Sequence, residues 1–140
     1  MKTLIAYLTI KGNTEAALDF YEHCFNGNTI FLQRFSETNY TVSENYKNKI
    51  AHAEFKAENL HFYISDGFEK ETVTYGNGIG MTVNFTNKNE HTEVFNKLKV
   101  GGKVTHDFFQ TTIDSNLACI IDKYGIHWYL NYSNAEKSGY

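Results

Sequence analysis

The 140-residue sequence predicts an α+β fold: two βαβββ modules forming a curved, mixed sheet around a cavity. Three observations predict it. Asn13, Ala17, Phe20, Tyr21, Cys24 and Gly27 recur 74 residues later as Asn87, His91, Val94, Phe95, Leu98 and Gly101. The run Asn59-Leu60-His61-Phe62-Tyr63-Ile64 recurs 66 residues later as Gly125-Ile126-His127-Trp128-Tyr129-Leu130. In each copy an alternating segment precedes a helical stripe, and further alternating segments follow it. One such unit leaves a sheet face bare, so two copies are expected to close their bare faces around a hollow.

The elements follow in chain order. Leu4 to Ile10 alternates as a strand. Gly12-Asn13-Thr14 supplies a turn and a helix cap. Ala17, Phe20, Tyr21 and Cys24 then fall at i, i+3, i+4 and i+7, the apolar stripe of an amphipathic helix. Asn26-Gly27-Asn28 ends it, with Gly27 expected in the left-handed position. Thr29 to Phe35 reads as a strand, and polar Ser36 to Lys49 as a long hairpin loop. Ile50 to Phe55 and Leu60 to Ser65 read as two strands. In the second copy Met81 to Phe85 is a strand and Asn87 caps a helix bearing His91, Val94, Phe95 and Leu98. Gly101-Gly102 ends that helix, and strands are expected near Lys103–His106, Leu117–Ile121 and His127–Tyr132. The offset falls from 74 to 66 because the first hairpin loop is eight residues longer. The expected organisation is one domain, with a first module over 1–66, a linker over 67–78, a second module over 79–132 and a polar tail over 133–140.

Composition narrows the function classes. Apolar residues make up 41 % and aromatics 16 %, a globular profile rather than a disordered one. Thirteen basic against sixteen acidic residues give a net charge of −3, with no cluster of Lys and Arg. Neither nucleic acid nor a membrane surface is therefore an expected partner. No apolar run approaches the roughly 18 residues of a membrane span, and the N-terminus lacks a secretory pattern, so a cytoplasmic location is expected. Cys24 and Cys119 both lie among apolar residues and read as buried, reduced thiols.

Strand alternation separates two faces. Leu60, Phe62 and Ile64 share one face with the helix, and His61, Tyr63 and Ser65 share the other. By the repeat, His127, Tyr129 and Asn131 match the second set. Leu8, Ile10, Met81, Val83 and Phe85 should face the helices, leaving Tyr7, Thr9, Thr82 and Asn84 toward the cavity. His52 and Glu54 alternate with Ala53 and Phe55 and should also point inward. The expected pocket has aromatic walls and a few hydrogen-bonding groups, as small-molecule sites usually do. His52 and Glu54 are either a catalytic acid–base couple or a structural pair. Together with His61 they are, alternatively, a metal site. His61 and His127 are either ligand contacts or solvated rim residues. His91 and His106-Asp107 read as structural, the latter in a loop. Gly76-Asn77-Gly78-Ile79-Gly80 is not a phosphate loop, since it precedes a strand and lacks the Lys-Ser/Thr pair.

The order of Tyr7-Leu8, Gly12-Asn13, Ala17-Leu18, Phe20-Tyr21 and Phe25, then Ile50 to Phe55, Ile64-Ser65-Asp66 and Asp122 to Trp128, resembles a known family. It is similar to the PhnB-like branch of the vicinal oxygen chelate (glyoxalase/bleomycin resistance/dioxygenase) superfamily, over roughly residues 3 to 132. One departure is Phe108 to Asp114, which lacks the glycine of an aromatic–glycine motif in the branch, so the ligand-facing loop there should differ. The resemblance implies a glyoxalase/bleomycin resistance fold, a small-molecule ligand and a homodimer. Metal-dependent members use His, Glu or Gln from the first and last strand of each module. Ile5-Ala6-Tyr7 and Ile79-Gly80-Met81 contain none of these, and the last-strand positions fall on Tyr63 and Tyr129. Phenols, with a pKa of about 10, are unusual ligands for a divalent ion. No metal or other cofactor is therefore expected, and no glycine-rich turn for a methyl-donor nucleotide is visible. The leading expectation is a small-molecule binder; if it is catalytic, His52 and Glu54 are its proton-transfer residues. Its ligand contacts are Tyr7, Thr9, His61, Tyr63, Thr82, Asn84, His127 and Tyr129. A metal-dependent lyase or dioxygenase with substituted ligands, and a non-catalytic sequestration or resistance protein, are the alternatives.

Overall fold

The computed structural model describes residues 1–112 and 115–133. The chain divides after Thr74 into two compact units. The first contains β1 (Ala6–Thr9), α1 (Thr14–Phe25), β2 (Asn28–Arg34), β3 (Ile50–Ala57) and β4 (Leu60–Ser65), a βαβββ order. The second repeats it with β5 (Met81–Phe85), α2 (Lys88–Leu98), β6 (Lys103–Thr112), β7 (Ser115–Ile121) and β8 (His127–Ser133). The sheets run β1-β4-β3-β2 and β5-β8-β7-β6. In each, the first strand lies parallel to the last, and the remaining pairs are antiparallel. A strand that leaves by way of a helix returns parallel, whereas hairpins return antiparallel, so the mixed sheet follows from the element order.

One face of the first sheet is sealed by α1. Ala17, Leu18, Tyr21 and Cys24 are buried along the helix. Tyr21 meets Phe62 edge-on at 5.7 Å, and Phe62 stacks on Phe55 at 4.8 Å. Burying an aromatic side chain of this kind contributes roughly 1.5–3 kcal/mol. In the second unit Val94, Phe95, Leu98 and His91 make the helix side, against a sheet face with buried Val83, Phe85, Trp128 and Leu130. Cys24 and Cys119 are buried free thiols.

Several expectations need correction. Asn13 precedes α1, but its side chain makes no cap bond. Instead the buried Asp66 carboxylate accepts from the Thr14 N–H at 3.0 Å and from the Ile50 N–H at 2.6 Å. The left-handed residue after α1 is Asn26, not Gly27. Gly27 is there because a Cβ would collide with Phe55, Ala57 and the Lys56 carbonyl of the adjacent strand. α2 behaves as expected: the Asn87 side chain accepts from the Glu90 N–H, and Gly101 takes positive φ.

Residues 35–49 are the expected hairpin connection between the antiparallel β2 and β3, and they carry two short 3-10 turns. Tyr46 is buried, and its hydroxyl donates to the Gly67 carbonyl at 2.6 Å. β6 runs on to Thr112, so His106-Asp107 and the Phe108 segment lie in a strand and not in a loop. Irregular register between β6 and β7 masks the alternation that would have marked it. Ile113 and Asp114, at the end of that segment, lie outside the described residues. The polar tail does too, apart from Ser133, which closes β8. Among the described residues no helix is long and apolar enough to cross a membrane.

Candidate functional site

The other face of the first sheet carries the polar and aromatic side chains. In the parallel β1–β4 pair, Tyr7 lies opposite Tyr63. Glu54 of β3 lies opposite Tyr63 on one side and Phe31 of β2 on the other. Gln33 pairs with His52, and Arg34 with Ile50, so one extra residue, Ala51, interrupts the register. This bulge lets Ile50 stay buried on the helix side while His52 emerges on the open side.

Glu54 stands between two imidazoles. One carboxylate oxygen is 3.4 Å from His61 Nε2 and the other is 3.9 Å from His52 Nε2. The three side chains keep 27–30 % of their surface exposed, enough for proton exchange with solvent. Tyr63 borders both histidines, with its ring 4.7 Å from His52 and 5.6 Å from His61, edge-on in each case. Tyr7 adds a ring 5.9 Å from His52 and 6.1 Å from Tyr63, and Phe31 adds another 5.8 Å from His52. Three strands thus bring Tyr7, His52, Glu54, His61 and Tyr63 into one cluster. Among the described residues, no group of three or more His, Cys, Asp or Glu side chains converges to hold a metal ion.

A cavity of about 280 Å³ opens at the His52 end of this cluster. Tyr7, Phe35, Tyr40 and Phe68 supply rings to it, and Gln33, Thr38, His52 and Ser65 supply polar groups. Thr9, half-buried beside Ser65 in the β1–β4 register, sits under Gly67, where a Cβ would strike its methyl group. Gln33, Thr38, Tyr40 and Phe68 are lining residues that the sequence reading missed. The available signal was the aromatics of the two connections, Tyr40 and Tyr46 in one and Phe68 and Tyr75 in the other, among mostly polar neighbours.

The remaining expected site residues lie in the second unit. Thr82 is opposite Tyr129, and Asn84 is opposite Asn131, whose Nδ2 donates to Asn84 Oδ1 at 3.4 Å. Tyr129 is exposed, and its ring lies where a Cβ on Gly80 would be. His127 is half-buried at the start of β8. His91 is different: it is buried, with Nε2 2.8 Å from the Leu130 carbonyl. Burial holds its imidazole below the ordinary histidine range, outweighing that hydrogen bond, which favours the charged form. It is a core residue.

The donor chemistry of the paired first- and last-strand positions decides whether a metal fits there. Within each module by itself, register pairs Tyr7 with Tyr63 and Thr82 with Tyr129, so the second module's first-strand position is Thr82, one residue beyond the expected Ile79-Gly80-Met81 window. These positions offer phenol and alcohol oxygens, with no imidazole or carboxylate among them. Such a set does not fit a resident divalent ion.

Residues 2–131 match the family described as 3-demethylubiquinone-9 3-methyltransferase. Among solved structures, protein PA1353 from Pseudomonas aeruginosa is similar at a TM-score of 0.85 and 22 % identity, covering 96 % of this chain and 99 % of its own. A PhnB protein from Bacillus cereus, described as a putative 3-demethylubiquinone-9 3-methyltransferase, matches at 0.77 and 21 %, covering 94 % and 100 %. A glyoxylase/bleomycin resistance protein/dioxygenase domain from Frankia sp. EAN1pec matches at 0.65 and 10 %, covering 100 % and 95 %. Curated proteins provide no match. Two four-stranded mixed sheets of βαβββ order, their likeness to these structures and the match along nearly the whole chain give one conclusion. The chain belongs to the family described as 3-demethylubiquinone-9 3-methyltransferase, and its fold is that of the glyoxalase/bleomycin resistance/dioxygenase structures.

Proposed function

We propose that the open face of the first module binds a small organic molecule, and that His52 and Glu54 exchange a proton with it. The observation that carries this reading is the placement of Glu54 between two imidazoles, with His52 shared between that cluster and the cavity. Histidine is the side chain whose ordinary pKa, about 6.5, suits proton transfer near neutral pH. A carboxylate beside it steadies the imidazolium formed when the ring accepts a proton. Tyr7 and Tyr63 would hold the ligand against His52, and His61 would keep the second Glu54 oxygen occupied. Thr9, packed against the lining residue Gly67, is proposed as a further contact at that edge. In the second module Thr82, Asn84, His127 and Tyr129 occupy the corresponding strands and are proposed as ligand contacts of that module's own face. The superfamily resemblance also supports a homodimer, which sedimentation at two protein concentrations would check.

The test uses 4-nitrophenol, whose ionisation is visible by absorbance. When the bound phenol loses its O–H proton to His52, a new N–H forms on the ring. The bound probe should then ionise at a lower pH than the free one, by a unit or so. His52→Gln should keep affinity within about three-fold and abolish that shift. A shift that survives His52→Gln contradicts the assignment.

A further inference from the structure

Of the large apolar side chains exposed in the first module, Tyr7, Tyr40 and Phe68 border the same cavity, at 51 %, 57 % and 47 % exposure. Exposed aromatics gathered around one hollow mark a surface that awaits an apolar partner. Tyr40 and Phe68 meet at 5.3 Å and 67°, and Phe35, almost wholly buried, backs Tyr40 at 6.0 Å. The walls are thus flat ring surfaces, one of them anchored in the core.

Size sets a second limit. Ligand pockets usually span about 300–1,000 Å³, and a hollow of roughly 150 Å³ suffices for benzene. The present volume of about 280 Å³ suits one ring with a short substituent.

Charge sets a third. No Lys, Arg, Asp or Glu lines the cavity, and its polar groups are the amide of Gln33, the hydroxyls of Thr38 and Ser65, and His52. Lys11 donates to the Phe68 and Glu69 carbonyls and does not line the cavity. Glu69 in turn accepts from Ser43. A ligand that arrives ionised would lose hydration here without meeting an opposite fixed charge on the lining, whereas a neutral phenol that passes its proton to His52 creates its own counter-charge there.

We propose that the cavity at the His52 end of the first sheet is selective for an uncharged, single-ring aromatic molecule bearing one short hydrogen-bonding substituent. This rests on the reading of that face as a small-molecule site and names the ligand's chemistry. The ring lies against Tyr40, Phe68 and Tyr7, and the substituent meets Gln33 and His52.

Benzamide, benzoate, benzyltrimethylammonium and cyclohexanecarboxamide, titrated into the full chain and followed by backbone-amide NMR, test it. Benzamide should shift the amides of Gln33, Tyr40 and Phe68. The two charged probes should bind at least ten-fold more weakly, and the cyclohexane analogue about five-fold more weakly. Tyr40→Ala and Phe68→Ala replace exposed rings, so the fold should hold while benzamide affinity falls about ten-fold. A charged or saturated probe binding as tightly as benzamide overturns the proposal, as does benzamide affinity unchanged in both variants. If benzamide fails while 4-nitrophenol still shifts its ionisation through His52, the ligand class is wrong and the proton-exchange reading stands. If benzamide binds as described but the His52 shift is missing, the reverse holds.

Discussion

The Asp66 carboxylate accepts from the Thr14 N–H with one oxygen and from the Ile50 N–H with the other, so a single buried side chain joins the start of α1 to the start of β3. Asp66→Ala would leave two backbone donors without a partner, at a cost on the order of 3 kcal/mol. The urea midpoint should fall accordingly, with the slope of the transition unchanged. His91 supplies a pH-dependent counterpart. Its folded pKa is depressed by burial, so the unfolded chain binds the extra proton first. Its contribution is therefore full above the unfolded value of about 6.5 and is lost as pH falls from there through the folded value. Urea midpoints at pH 7.5 and 5.5 should differ less in His91→Gln than in the parent chain. An equal difference in both would show that His91 is not the group responsible.

At the scale of elements, the strands and helices were legible where one period ran uninterrupted. Leu60 to Ser65 and Met81 to Phe85 were read with the bounds that the structure gives them. β6 was cut short because irregular register sets Phe108 and Phe109 out of alternation, and only the β7 pairing restores the strand. The cap of α1 was misread for a related reason: its acceptor, Asp66, comes from 52 residues away, and no local pattern announces it. The candidate site divides along the same line. Strand parity placed Tyr7, His52, Glu54, His61 and Tyr63 on one face, because parity is local. Gln33, Thr38, Tyr40 and Phe68 reach the cavity through a bulge and two folded connections, which parity does not describe. Glycines mark where elements touch most closely. Gly80→Ala would push on the Tyr129 ring that lies against it. Its expected effect is a change in Tyr129 fluorescence or ring NMR signals, with those of Tyr63 unchanged.

At the scale of the whole molecule, one plan used twice has been specialised unequally. The first module holds the Glu54 cluster and the cavity, whereas the second holds Thr82, Asn84 and Tyr129 on its open strands and a Trp128 tied to Asp122 at 2.8 Å. The paired first- and last-strand positions carry two phenols in the first module, Tyr7 and Tyr63, and an alcohol and a phenol in the second, Thr82 and Tyr129. Equimolar Ni, Zn or Mn should therefore leave the melting temperature within about a degree, and a chelator should leave 4-nitrophenol binding intact. A stoichiometric ion whose removal lowers stability would contradict that donor argument.

The most direct measurement is a residue-by-residue amide NMR map of the chain titrated with 4-nitrophenol. The account predicts shifts concentrated at Gln33, Thr38 to Tyr40, Ala51 to Glu54 and Ser65 to Phe68. Shifts confined to Thr82, Asn84 and Tyr129, with the first module undisturbed, would contradict it.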